Sequence, residues 1–355
     1  MTHPYKALGP EAFWKTAVGA KNPLQIGGLW SPKFQITQDM PIVTAGSCFA
    51  QHFSRALAGR GYDWLDGEPA PPYLREGAAR DYNYGIFSFR SGNIYTTRML
   101  RQWVEQALEL KEDPKEVWRT KGRFYDPLRP MIEPGGFSSK GEMFASREAC
   151  YRAIRRAIEG ASVFVFTLGL TESWANRSSG LEYASCPGTA AGAFQDGAHV
   201  FVNHRAREIE QDLLAALNAM RAINPDLKVL LSVSPVPLTA TASGAHVLTA
   251  TTYSKSVLRA VAGMVSEDHD WVDYFPSYEI ITSPAFRGMF FAPNQRSVVP
   301  EGVDFVMQNF FADQVSAFGH AASAQKGPPS AVPPTAPKEN EDVKCEEEML
   351  NAFAT

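Results

Sequence analysis

The feature that most limits how this 355-residue chain can fold is the alternation of short, apolar, β-rich runs with stretches of helical period. The clearest β-rich runs are 41-PIVTA-45, 162-SVFVFTLG-169, 228-KVLLSVSPV-236 and 271-WVDYF-275. In 205-RAREIEQDLLAALNAMRAI-223, Ile209, Leu213, Leu217 and Met220 recur at helical spacing until 224-NPD-226 breaks the pattern. A second helix, 146-SREACYRAIRRAIEG-160, opens on Ser146 as a cap and closes on Gly160, and a third is expected over about 249–266. Strands joined through helices need crossovers, which favour parallel pairing in a doubly wound sheet with helices on both faces. Ligands of such sheets bind beyond the carboxyl ends of the strands. A site is therefore expected around Gly46–Ser47, Gly169–Glu172, Ser234–Pro237 and the chain after Phe275.

Between the first helix and residue 146 lies a region rich in Gly, Pro and Tyr, including 81-DYNYGIFSFRSGNIYTTRMLRQWVEQAL-108. It reads as an ordered insertion near 65–145, with its own helix at about 95–109, expected to form one wall of the cleft. Residues 1–24 read as an N-terminal extension and 25–318 as the α/β domain. From about Gly319 the chain is rich in Ala, Pro and charge, and such a composition buries too little apolar surface to offset its ordering entropy, so 319–355 is expected to be a disordered tail.

A net charge of −4 and a pI near 6.0, with no dense Lys/Arg run, give no electrostatic reason to bind nucleic acid. The four cysteines lack CxxC spacing, and neither HExxH nor GxxxxGK[ST] occurs, so no metal, disulfide framework or nucleoside-triphosphate cofactor is expected. No apolar run reaches signal-peptide or membrane-span length, which makes a cytoplasmic location without a transmembrane segment the expectation.

The stretch 44-TAGSCFAQHFSRAL-57 puts Ser47 where a strand gives way to a helix. Ser47 has two readings there: a nucleophile facing the cleft, with backbone N–H groups ready for an oxyanion, or a simple helix cap. Cys48 is a rival nucleophile, one residue into the first turn.

The string 46-GSCFA-50, followed in order by 92-GNIYTTRML-100, 164-FVFTLGLTESW-174, 186-CPGT-189, 233-VSPVPLTAT-241, 252-TYSKSVLRAV-261 and 274-YFPSYEI-280, strongly resembles the GSCFA family from roughly residue 25 to 315. That family is distantly similar to SGNH, or GDSL-like, esterases and acyltransferases. The resemblance implies a three-layer α/β/α, flavodoxin-like (SGNH-like), mostly parallel sheet. It also implies a nucleophile at Ser47 and an oxyanion element at Gly92 and Asn93, where Asn93 can equally be an Asx-turn residue. The third SGNH element falls at 169-GLTE-172: Gly169 is kept, Thr171 stands where an amide donor is expected, and Glu172 stands where a carboxylate orients the base.

The fourth element departs from the pattern. A histidine is expected near 294-NQRSVVPEGVDFV-306, and none is there. Without a base, Ser47 has little nucleophilicity. Of the seven histidines, His3 and His320 lie in the expected tails, His269 in a polar turn, His52 in the first helix, and His199 and His204 flank a loop. His246 follows a strand whose carboxyl end faces the cleft, and the family resemblance covers its string HVLTATTYSKS, so it is the first choice of base; capping the following helix is its other reading. Lys255 offers a Ser-Lys route, although its place a turn or two inside a helix points it to solvent or a carboxylate. Arg90 and Arg98 bracket GNIY and can hold an anionic substrate group or pair on the surface.

The expected function is a serine-dependent ester hydrolase or O-acyltransferase working through an acyl-Ser47 intermediate. Its partner would be a small-molecule or glycan acyl ester, in the class of acylated carbohydrate or envelope precursors implied by the SGNH resemblance. The alternative is a non-catalytic glycan- or lipid-intermediate-binding protein on an esterase-like scaffold.

Overall fold

Along the chain run β1 (Ile42–Gly46), α1 (Ala50–Gly59), α2 (Glu76–Asp81), α3 (Thr97–Ala107), β2 (Trp118–Thr120), β3 (Arg123–Tyr125), α4 (Lys140–Gly160), β4 (Val163–Leu168), β5 (Glu172–Asn176), β6 (Glu182–Tyr183), β7 (His199–Asn203), α5 (Ala206–Ile223), β8 (Lys228–Val233), α6 (Val247–Asp268), β9 (Val272–Tyr274), α7 (Ser277–Thr282) and α8 (Pro300–Phe318). The computed structural model describes residues 3–319 and 345–354, which divide into two units: 36–274 with 345–354, and 3–35 with 275–319. Of the tail expected to be disordered, 320–344 and 355 lie outside the described residues, whereas 345–354 carry a 3-10 helix over Glu346–Phe353.

In the larger unit the four strands read from sequence form one all-parallel sheet in the order β1-β4-β8-β9, flanked by helices in a three-layer α/β/α arrangement. Every residue of β1 and β4 is buried, as strands covered on both faces must be, and this is why they read as continuous apolar runs. Along its other edge β1 meets a single parallel bridge, Ile42 to Trp64, with Ile42 N donating to Asp63 O at 2.8 Å and Leu65 N donating to Ile42 O at 2.9 Å. With that segment counted, the chain leaves β1 toward one side first and crosses to β4 on the other side later. The strand order therefore reverses at β1, and its carboxyl end, Gly46–Ser47, is the topological switch point at which doubly wound sheets open a ligand crevice.

The insertion is pinned along the same edge. Ser88 Oγ accepts from Thr44 N at 2.9 Å, and Ile94 N donates to Gly46 O at 2.8 Å, so residues 86–94 follow β1 to its end. A separate antiparallel sheet, β6-β5-β7, continues from β4 through 169-GLTE-172. Helix α4 starts seven residues earlier than its sequence pattern indicates. Ser139, not Ser146, caps it by accepting from Glu142 N at 3.1 Å, while Ser146 lies inside the helix and accepts from Arg129 Nη2.

The smaller unit packs Trp30 against Phe310 and the edge of Phe275, with ring centroids 5.2 Å apart in both pairs, and Asp313 accepts from Trp30 N at 3.0 Å. Segment 294–306, where a histidine was expected, lies here; Val299 precedes α8 as its N-cap. Among the described residues no helix is long and apolar enough to cross a membrane.

Candidate active site

Strand β1 ends at Gly46 with φ of +137°, and a Cβ there would stand 2.5 Å from Thr167 O. Only glycine fits, because the left-handed conformation and the neighbouring strand both exclude a side chain. Ser47 N then donates to Thr167 O at 3.1 Å, and a turn closed by Ala50 N to Ser47 O leads into α1. The N-cap of α1 is Phe49, which has no side-chain cap bond. Ser47 Oγ is buried, with the residue 2 % exposed, and has no hydrogen-bond partner among the described residues. The hydroxyl is thus not capping the helix. A buried hydroxyl left unpaired costs about 1–3 kcal/mol and calls for a reason, of which readiness for chemistry is one.

Gly169 lies against it. A Cβ on Gly169 would come within 2.9 Å of Ser47 Cβ and 3.0 Å of Tyr95 O, so the Ser47 side chain and the Tyr95 backbone both crowd the same face of this glycine. Gly169 N and Leu170 N both donate to Tyr95 O, at 3.1 and 2.9 Å. The Gly169 carbonyl accepts from Lys255 Nζ at 2.7 Å. Lys255 is 1 % exposed, which corrects the expectation that it points to solvent: position 255 lies on the buried stripe of α6 with Ser254 and Leu258. Ser254 Oγ in turn accepts from Thr171 N at 3.0 Å, so the YSKS motif clamps 169-GLT-171.

Gly92 and Asn93 lie next to the end of β1, where Ile94 N donates to Gly46 O. Gly92 has φ of +69°. Asn93 is 2 % exposed; its Oδ1 accepts from Gln51 Nε2 at 3.1 Å, which aims the Nδ2 donor away from α1. That donor meets Glu346 Oε2 at 2.5 Å, and Tyr95 OH donates to the same oxygen at 2.8 Å. The Asn93 backbone N–H also bonds the Glu346 carboxyl. Burial pushes the Glu346 carboxyl above the usual range, and these neutral donors only partly oppose it. Burial likewise raises the Tyr95 hydroxyl well above its ordinary value, aided by the nearby Cys345 and Glu346.

Beside Tyr95 opens a cavity of about 470 Å³ with mainly apolar walls from Leu170, Trp174, Tyr183, Phe194 and Phe201. Trp174 anchors it, edge-on to Phe194 and Phe201 at centroid distances of 5.1 and 5.6 Å. Glu172 and Thr241 contribute polar atoms to its lining, and Leu350 and Phe353 cover part of it.

The remaining sequence-nominated residues stand apart from this cluster in their bonding. His246 is exposed at the N-cap of α6, where its Nδ1 accepts from Leu248 N at 3.2 Å; it fills the capping role, not a bond to Ser47. Glu172 accepts from Thr241 Oγ1 at 2.8 Å and from the Ala242 backbone, so it holds the 234–246 loop, and burial raises its carboxyl. Thr171 Oγ1 donates to Asn203 Oδ1 at 2.8 Å, which commits the hydroxyl expected to serve an oxyanion. Arg90 is buried, donating to Glu68, Tyr82 O and Ile132 O and stacking on Tyr84, so its guanidinium is structural. Arg98 pairs with Asp212 on α5. One histidine–carboxylate pair is His204 with Glu182, which also accepts from Thr96 Oγ1 at 2.6 Å at the start of α3. Burial opposes charging of His204, but Glu182 outweighs it and raises the imidazole. His52 is driven down to about 4 by burial and Arg55.

One support was not legible in the sequence. Asp126 accepts from Arg129 Nε at 2.9 Å and from Arg147 Nη2 at 2.6 Å, all three residues being buried, and Arg129 Nη1 donates to Arg90 O at 2.6 Å. This cluster holds the loop that carries Gly92 and Asn93. Glu346, Tyr95 and Gln51 were also missed. Tyr95 and Gln51 sit inside quoted motifs, and the only signal for Glu346 is the change from a Pro/Ala-rich run to 346-EEEMLNAF-353.

Among the described residues no group of three or more His, Cys, Asp or Glu side chains is arranged to hold a metal ion. No curated protein and no solved structure matches the chain. A profile of the GSCFA family does match, over residues 41–310, a span that begins just before β1, takes in the Gly46–Ser47 turn, Asn93, Gly169 and Lys255, and ends within α8. The chain belongs to the GSCFA family.

Proposed function

We propose that the protein is a serine-dependent ester hydrolase or O-acyltransferase that forms an acyl-Ser47 intermediate. The observation that carries this reading is the buried Ser47 hydroxyl, without a hydrogen-bond partner among the described residues, at the switch point of the sheet where its side chain packs on Gly169. In the step envisaged, Ser47 Oγ bonds to the ester carbonyl carbon while its proton passes to a base. The carbonyl oxygen takes the negative charge beside the Asn93 amide donors, and the alcohol leaves with the proton. Water or a second alcohol then resolves the acyl-serine by the reverse sequence. Lys255 replaces His246 as the proposed base, since it bonds the glycine that packs on Ser47 while His246 caps a helix in solvent. This role requires Lys255 to be neutral at the moment of attack.

The substrate class, acylated carbohydrate or envelope precursors, follows from the SGNH resemblance, and a cytoplasmic location remains part of the proposal. A fluorophosphonate probe tests the core of it. Wild-type protein should label at Ser47, and Ser47→Ala should not; equal labelling of both would sink the reading and favour a carbonyl-binding protein without turnover.

A further inference from the structure

The segment 345–354 shows what the site accepts. Its Glu346 carboxyl lies in a pocket of neutral donors, Asn93 Nδ2, the Asn93 N–H and Tyr95 OH, with no cation bonded to it among the interactions described for Glu346. A niche built of neutral donors suits a carbonyl oxygen, including the charge that develops on it during attack, better than a permanent carboxylate, which finds no bonded cation among the described residues to offset its removal from water. The apolar cavity starts at the same Tyr95 and runs past Leu170 and Trp174, and its volume of about 470 Å³ lies within the range of small-molecule pockets. Head and chain sites are therefore contiguous, with Leu350 and Phe353 among the residues that line the chain site while Glu346 fills the head site.

We propose that Asn93 and Tyr95 hold a carbonyl oxygen and that the adjoining aromatic cavity receives its apolar chain, so that the substrate class is a long-chain acyl ester for which segment 345–354 competes. This rests on the acyl-transfer reading of Ser47. It selects fatty acyl over acetyl groups, since the cavity offers several rings to a chain and a two-carbon unit would leave them uncovered. Glu346 stands in for the acyl carbonyl, and displacement of the segment accompanies binding.

Methyl ketones test the pocket without catalysis, because they carry carbonyl and chain but no leaving group. Calorimetric titration of the full chain with acetone, 2-hexanone and 2-decanone should give affinity rising at least tenfold along the series, well below what seven buried methylenes can contribute. Glu346→Ala should bind 2-decanone at least threefold more tightly than wild type. Trp174→Ala should lose most of the chain-length dependence, and Phe201→Leu, a milder change, should reduce it if the Trp174 variant does not fold. Equal affinity along the series, or no gain in Glu346→Ala, would overturn the proposal. Chain-dependent binding without fluorophosphonate labelling of Ser47 would keep the pocket and remove the acyl-transfer reading. Labelling without chain dependence would do the reverse.

Discussion

Asp126 and Glu346 are both buried carboxyl groups close to the Gly92–Asn93 loop, yet the chain treats them in opposite ways. Asp126 receives two guanidinium groups and a backbone N–H, and although burial works to raise it, Arg147 and Arg129 hold its carboxyl below the usual range. Glu346 receives an amide, a phenol and two backbone N–H groups, its own and that of Asn93, and burial wins. A carboxylate fixed by two buried arginines cannot leave without stranding their charges. A carboxyl held by neutral donors on a short 3-10 helix can be exchanged for another oxygen. The difference separates the scaffold of the site from its replaceable occupant.

The sharpest way to break that contrast is to remove each group in turn. Asp126→Ala strands Arg129 and Arg147 and should cost about 3–5 kcal/mol in urea unfolding, the cost of leaving a buried charge uncompensated. Glu346→Ala should cost no more than about 1 kcal/mol by the same measurement, since its donors can turn to water or ligand. Comparable losses for the two would erase the distinction.

The pH dependences should also run in opposite directions. Glu346 has an ordinary value of 4.5 that is raised when docked, so its contribution to docking is full below about 4.5 and is lost as pH rises through the raised value. Asp126 is lowered from 3.8, so its contribution is present above that value and fails as pH falls through the lowered one. Hydrogen-exchange protection of 345–354, corrected for intrinsic rates, should therefore decline as pH is raised from 4.5, and Glu346→Gln should flatten that decline. A protection profile that increases with pH would contradict the assignment.

The smallest effect expected concerns the histidine that the sequence nominated. His246→Ala should lose a helix cap worth about 1 kcal/mol and leave Ser47 labelling unchanged. A hundredfold loss of labelling rate in this variant would restore His246 as the base in place of Lys255.

Much of the fold was legible because its signals are local. The four central strands read as apolar runs since parallel strands are buried on both faces, and α5 read correctly because Ile209, Leu213, Leu217 and Met220 keep one face to the core. The start of α4 was misread because two serines, Ser139 and Ser146, each fit a cap, and only packing of Ser146 against Arg129 decides between them. His246 was legible as a cap or a base, and sequence spacing could not choose, since the choice depends on the path of an exposed loop. Lys255 was assigned to solvent or a carboxylate by the general habit of lysines, whereas it is buried with its Nζ on the Gly169 carbonyl.

By itself, the sequence determined that Gly46 and Ser47 end a buried parallel strand, because only glycine takes the backbone there and the apolar run stops at that point. It left Asn93 open between an oxyanion donor and an Asx-turn residue, and the structure puts its Oδ1 on Gln51 Nε2. Tertiary structure alone decided that the Gly92–Asn93 loop reaches Ser47's end of the sheet, through Ile94 on Gly46, and that the Ser47 hydroxyl has no partner among the described residues and does not cap α1. It alone brought Glu346, more than 250 positions along the chain, into the niche of Asn93. The physical reason is the same in each case: strand and helix formation follow from neighbours a few residues away, whereas the partner of a buried polar atom is fixed by whichever distant segment the folded chain carries to it.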